Sequence, residues 1–137
     1  MKIDHIGIAV KNLDEANKLY ASLLQKKPDK IENVTSENVL VSFFKTETSK
    51  IELIQATDKN IGLTKFIQKN GEGIHHIAFK VDNIATEIKR LEKEGFQLVD
   101  SVPKIGANNN LVAFLHPKTT NGVLVELCQP INRLKKE

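Results

Sequence analysis

Two hydrophobic spacings alternate along the chain, and the same succession occurs twice. Ile3-Asp4-His5-Ile6-Gly7-Ile8-Ala9-Val10 is short, rich in β-branched residues and bounded by polar positions, which predicts a strand. Asn12 then precedes Leu13, Ala16, Leu19, Tyr20, Leu23 and Leu24, an apolar stripe at helical spacing, and Asn12 with Glu15 resembles a capping box. Val39–Phe44 and Lys50–Gln55 read as further strands, with a weaker one near Lys30–Asn33. The second half repeats this order. Ile74-His75-His76-Ile77-Ala78-Phe79-Lys80-Val81 predicts a strand, and Asp82-Asn83 precedes the helical set Ile84, Ile88 and Leu91, with Gly95 at a C′ position. Gln97–Val99, Leu111–Leu115 and Val123–Cys128 complete it as strands. Between the halves, Ile61–Ile67 carries a helical pattern, followed by the turn-like Asn70-Gly71-Glu72-Gly73.

A β-α-β-β-β unit cannot cover both faces of its own sheet. Two side by side can curl into one open barrel with the helices outside. The expectation is therefore an α+β chain of two tandem βαβββ modules forming an open, cupped β-barrel. It reads as a single domain over residues 1–137, with repeat one at about 1–56, a linker helix at about 57–72 and repeat two at about 73–130.

Composition agrees with one globular domain. The chain has 137 residues, 40% hydrophobic and 27% charged, long enough to bury a core without staples. The single cysteine, Cys128, allows no intrachain disulfide and reads as a small buried apolar residue. No apolar run approaches the ~20 residues of a membrane span, and the N-terminus lacks a signal-peptide layout. These features predict a cytoplasmic protein without a membrane partner. The net charge of +3 is mild, one Tyr and no Trp are available for stacking, and the basic run Arg133–Lys136 reads as a solvated tail. Nucleic-acid binding is excluded as a reading, whereas a small anionic ligand fits.

The repeat sharpens the chemistry. His5 and His76 occupy the same place in the two first strands, and Glu52 and Glu126 the same place in the two last strands. Glu126 interrupts the apolar run 122–128, where an unpartnered buried carboxylate would cost several kcal/mol. Duplication makes equivalent positions converge about a pseudo-two-fold axis, and a divalent ion taking a nitrogen from each histidine and an oxygen from each acid accounts for all four. Asp4 aligns with His75, and the two-residue strand period turns His75 away from His76, to the surface or behind it.

The motifs 3–10, Ile51-Glu52-Leu53, Gly73-Ile74-His75-His76-Ile77-Ala78, Lys104-Ile105-Gly106-Ala107, Phe114-Leu115-His116-Pro117-Lys118 and Gly122-Val123-Leu124-Val125-Glu126-Leu127 together span nearly the whole chain. With them the chain resembles the methylmalonyl-CoA epimerase branch of the vicinal oxygen chelate superfamily. The resemblance implies the vicinal oxygen chelate fold and a homodimer. It implies a site for a divalent metal (Co, Mn, Ni or Zn) built from His5, Glu52, His76 and Glu126. It implies an isomerase that interconverts the 2R and 2S epimers of methylmalonyl-CoA in propionate metabolism, by C2 proton abstraction through a metal-stabilised enolate.

Glu126 is the expected catalytic acid/base, and Lys104, Gly106 and His116 are the expected contacts to the CoA thioester. Lys45 and Lys118 are further candidates for its phosphates, and loop 104–110 for closing over it. The family's other base lies on the strand matched by Val39–Phe44, where Val41 and Ser42 stand without an acid. A water, a metal-bound hydroxide, Glu37 or Glu47 are the candidates to replace it. The rival readings are a glyoxalase I-type lyase acting on a glutathione hemithioacetal and a non-enzymatic small-molecule binding module.

Overall fold

The computed structural model describes residues 1–131, so the basic run from Arg133 lies outside the described residues. Repeat one contributes β1 (Lys2–Ala9), α1 (Leu13–Leu24), β2 (Lys30–Val34), β3 (Val39–Lys45) and β4 (Lys50–Ala56). After α2 (Ile61–Asn70), repeat two contributes β5 (Gly73–Lys80), α3 (Ile84–Lys93), β6 (Lys104–Ile105), β7 (Asn110–Leu115) and β8 (Val125–Pro130). All eight strands join one curled sheet in the order β2-β3-β4-β1-β5-β8-β7-β6, the cupped open barrel that duplication predicts. That order is its own mirror under duplication. The first strands, β1 and β5, pair antiparallel at the centre, and each runs parallel to the last strand of its own repeat.

The helices start alike. Asn12 and Asn83 cap α1 and α3 by accepting from the N–H groups of Glu15 and Thr86, at 3.0 and 3.1 Å. A second free N–H at each start is taken by the strand beneath it: Leu13 N–H donates to Gln55 Oε1 at 2.6 Å, and Ile84 N–H to Gln129 Oε1 at 2.8 Å. Gly95 ends α3 with φ +98°, the left-handed turn expected of it.

Alternation along β3 separates two layers. Leu40 and Phe44 pack beneath α1 with Leu13 and Leu53, whereas Val39, Val41 and Phe43 face the concave side with Ile54 and Leu63. In repeat two, Ile84, Ile88 and Leu91 of α3 cover Ala113, Leu115 and Leu127.

The predicted strand 97–99 is reduced to a single bridge, Leu98 to Leu115. The chain leaves β7 at 100–103, where Pro103 supplies no N–H to a ladder, and returns to the same edge as β6, paired with Leu111 and Val112. The edge strand of repeat two is thus interrupted, and only its first piece has strand-like periodicity.

Candidate active site

Four polar side chains that would be costly alone are buried together at the centre of the concave face: His5, Glu52, His76 and Glu126 are each at most 6% exposed. His5 Nε2 lies 3.1 Å from His76 Nε2, and Glu126 Oε1 lies 3.1 Å from His76 Nε2 and 3.6 Å from His5 Nε2. Three donor atoms therefore converge on one point. Divalent-ion bonds to N and O donors of about 2.0–2.1 Å place neighbouring donors about 3.0 Å apart in octahedral and about 3.4 Å apart in tetrahedral geometry. The two 3.1 Å spacings fall in that range, and the 3.6 Å spacing from Glu126 Oε1 to His5 Nε2 lies just above it. The donor chemistry fits as well, since two imidazole nitrogens 3.1 Å apart can share only one proton, and a cation satisfies both lone pairs with the carboxylate.

Glu52 does not reach this point. Its Oε2 lies 3.1 Å from His5 Nδ1, on the other side of the ring. The structure thus brings three of the four expected ligands to one place and sets the fourth against the back of His5.

Electrostatics follow from burial and these contacts. Burial opposes a charge on His5, but hydrogen bonds with Asp4 and Glu126 outweigh it and raise His5 to about 10. Burial alone would raise Glu126, and the hydrogen bonds from His5 and His76 instead hold it at about 2. Glu52, with fewer compensating contacts, is pushed by burial up to about 7. Burial raises the Cys128 thiol too, so it stays a neutral core group.

A cavity of about 290 Å³ opens in front of the three donors, walled mainly by apolar side chains including Val39, Ile54, Leu63, Val112 and Phe114. Glu37, just before β3, also lines it. Its Oε2 is buried without a hydrogen-bond partner, 4.0 Å from Lys104 Nζ, and burial raises its pKa. Glu37 and Glu52 come from repeat one and Glu126 from repeat two, so carboxyl groups reach the cavity from both halves of the chain. Ser42, at the position where the strand lacks an acid, does not line it. Glu47 is exposed in the β3–β4 turn and does not line it either.

The predicted substrate contacts separate. Gly106 lines the cavity, and Lys104 stands at its edge beside Glu37. His116 does not line it: its Nδ1 accepts from Lys118 N–H and caps the short turn 117–119. Lys45 and Lys118 are absent from the lining too. Segment 104–110 crosses to the other repeat, where Asn108 N–H donates to Glu32 Oε1 at 3.0 Å and Ser36 Oγ to the Ile105 carbonyl at 3.2 Å. It closes one side of the cavity.

Residues 4–114 match the sequence profile of the glyoxalase/bleomycin resistance protein/dioxygenase superfamily. The mitochondrial methylmalonyl-CoA epimerase of Dictyostelium discoideum is 39% identical over 127 residues, 92% of this chain and 76% of that one. The chain belongs to this superfamily, in its methylmalonyl-CoA epimerase family. Among solved epimerases, that of Mycobacterium tuberculosis superposes with a TM-score of 0.91 at 30% identity, covering 99% of this chain and 92% of the other. A variant of the Streptomyces coelicolor epimerase in complex with 2-nitronate-propionyl-CoA gives 0.89 at 29% identity, covering 96% and 99%. No helix among the described residues is long and apolar enough to cross a membrane.

Proposed function

We propose that this chain is an epimerase that inverts C2 of methylmalonyl-CoA, with a divalent ion at the concave centre and two carboxyl groups exchanging the C2 proton. The convergence of His5 Nε2, His76 Nε2 and Glu126 Oε1 carries the reading. These three would hold the ion, with Glu52, now beside His5 Nδ1, the candidate for a fourth ligand. The bound ion supplies Lewis-acid polarisation of the substrate's thioester and carboxylate oxygens.

The chain's own groups move the proton. The C2 hydrogen lies between a thioester and a carboxylate, and its removal leaves an enolate whose new negative charge rests on the thioester oxygen. Inversion needs a base on one side of C2 and an acid on the other. Glu126 is held as the carboxylate while burial keeps Glu37 easily protonated, and such a pair with opposed environments is suited to the two roles. Glu126 Oε1 faces the histidines and leaves Oε2 for the proton. Glu37 answers from the other repeat, and Lys104 steadies its charged form. The roles exchange when the opposite epimer is bound. The apolar wall excludes water that would otherwise compete for the proton.

The CoA portion leaves past Lys104 and Gly106, with segment 104–110 over it. The same resemblance supports a homodimer and a role in propionate metabolism, and the single cysteine favours a reducing, cytoplasmic place. Cobalt-loaded protein offered methylmalonyl-CoA and, separately, a glutathione hemithioacetal tests the substrate. Turnover of the first alone is expected, and turnover of the second alone would move the chain to the lyase chemistry.

A further inference from the structure

Two matching irregularities flank the centre. Along the central pair β1–β5, Ile3 faces Phe79 and His5 faces Ala78, so Asp4 is an extra residue on β1. Farther along the pair, Gly7 faces His76 and Ile8 faces Ile74, so His75 is an extra residue on β5. Each bulge falls immediately before one of the two histidines, at repeat-equivalent positions. A regular strand would point neighbouring side chains to opposite faces; a bulge re-aims the extra one. Here both extra side chains turn onto their neighbour. Asp4 Oδ2 lies 2.8 Å from His5 Nδ1, and His75 Nδ1 lies 2.9 Å from His76 Nδ1.

We propose that Asp4 and His75 are paired positioning residues which the two bulges place so that each holds the Nδ1 of its histidine and leaves Nε2 free for the ion. The inference rests on the metal reading above. An imidazole that binds through Nε2 keeps its proton on Nδ1 and needs an acceptor there, which fixes both the tautomer and the ring plane.

Each acceptor is itself held. Lys50 Nζ grips both oxygens of Asp4 at 3.2 and 3.1 Å. The His75 ring packs edge-on against Phe66 of α2, 4.8 Å between centroids. For His75 Nδ1 to accept, its own proton must sit on Nε2. Glu52 also reaches His5 Nδ1, at 3.1 Å, but one N–H cannot serve two carboxylates equally. Asp4 is closer and anchored, so Glu52 is the one free to turn to the ion. The two halves therefore differ in kind: His5 has an anionic partner and His76 a neutral one.

The test titrates chelator-treated protein with Co(II) alone and reads affinity and the visible d–d band. Asp4→Ala and His75→Phe, which removes the acceptor but keeps a ring against Phe66, should each weaken Co(II) binding by about 10–100-fold and alter the band. Asp4→Asn, which keeps an acceptor oxygen, should recover part of that loss. Lys50→Met leaves Asp4 in place without its anchor and should weaken binding less than Asp4→Ala. It serves as the second probe if Asp4→Ala does not fold. Wild-type affinity and an unchanged band in folded Asp4→Ala and His75→Phe would overturn the positioning role while leaving the metal centre intact. Equal losses in Asp4→Asn and Asp4→Ala would also overturn it. A wild-type chain that takes up no Co(II) would overturn both readings.

Discussion

The His76 ring lies directly over Gly7, and a methyl group built on Gly7 would collide with the ring's Cε1, Nδ1 and Nε2. The two residues face each other across the central antiparallel pair, so Gly7 forms the floor on which the second histidine rests. In Gly7→Ala the ring must move, because the three atoms nearest the added methyl all belong to it. Loss of most divalent-ion binding is expected, with an overpacking cost of about 1–3 kcal/mol. Co(II) titration beside urea unfolding checks both, and a Gly7→Ala protein with wild-type affinity would show that His76 is free to shift.

Glu126 and Glu37, which line the same cavity, should fail differently. Glu126→Gln removes a ligand as well as a proton acceptor, so both ion affinity and inversion should fall. Glu37→Gln should leave ion affinity unchanged and slow inversion by about 10²–10⁴-fold. It should still exchange the C2 hydrogen of one epimer with solvent, because one base remains. Single-epimer NMR in D2O separates exchange from inversion, and inversion at the wild-type rate in Glu37→Gln would remove it from the reaction.

Stability of the metal-free protein should fall as pH rises. His5 is raised from 6.5 to about 10, so its contribution is complete below 6.5 and is lost as pH climbs toward 10. Glu52, raised from 4.5 to about 7, adds a loss between those values. Glu126 acts at the acid end: lowered from 4.5 to about 2, its contribution is present above 4.5 and disappears toward pH 2. Urea midpoints of metal-free protein should therefore be higher at pH 6 than at pH 9. Because an ion must displace the His5 proton, metal uptake near neutral pH should release protons, seen by calorimetry in buffers of different ionisation enthalpy. A midpoint that rises from pH 6 to pH 9 would contradict this electrostatic account.

Gln55 and Gln129 make the same bond in the two repeats, each accepting from the first N–H of its helix. Substitution of either by Ala should cost about 1 kcal/mol of stability and leave ion affinity unchanged. The two costs should add, since they act on separate helices. Denaturant unfolding of the single and double variants measures this.

The duplication was legible because its signals are local: β-branched strands, Asn caps, and histidine and glutamate at repeated places. The strand and helix order followed from these, and so did the burial of His5, His76, Glu52 and Glu126 at one centre. Features that depend on register were not legible. The Asp4 and His75 bulges have no composition signal, so strict alternation turned His75 away from the histidine it touches. The broken edge at 100–103 hid β6, and Pro103 was its only visible marker. Glu37 lies before the strand rather than on it, so its place in the cavity depends on the turn at 35–38, where Asn38 adopts a positive φ of 55°. His116 in its Phe-Leu-His-Pro-Lys setting suggested a ligand contact, and the structure gives its ring nitrogen to a turn N–H instead.

The central claim is that His5, His76 and Glu126 hold an ion that makes C2 of methylmalonyl-CoA exchangeable and invertible. Chelator-treated protein, with and without Co(II), should be given one epimer in D2O and followed by NMR for C2 deuteration and inversion against a protein-free control. The account predicts inversion well above the control only with the ion, and its loss in His76→Ala. Inversion at full rate in metal-free protein, or an ion-loaded protein that leaves C2 untouched, would contradict it.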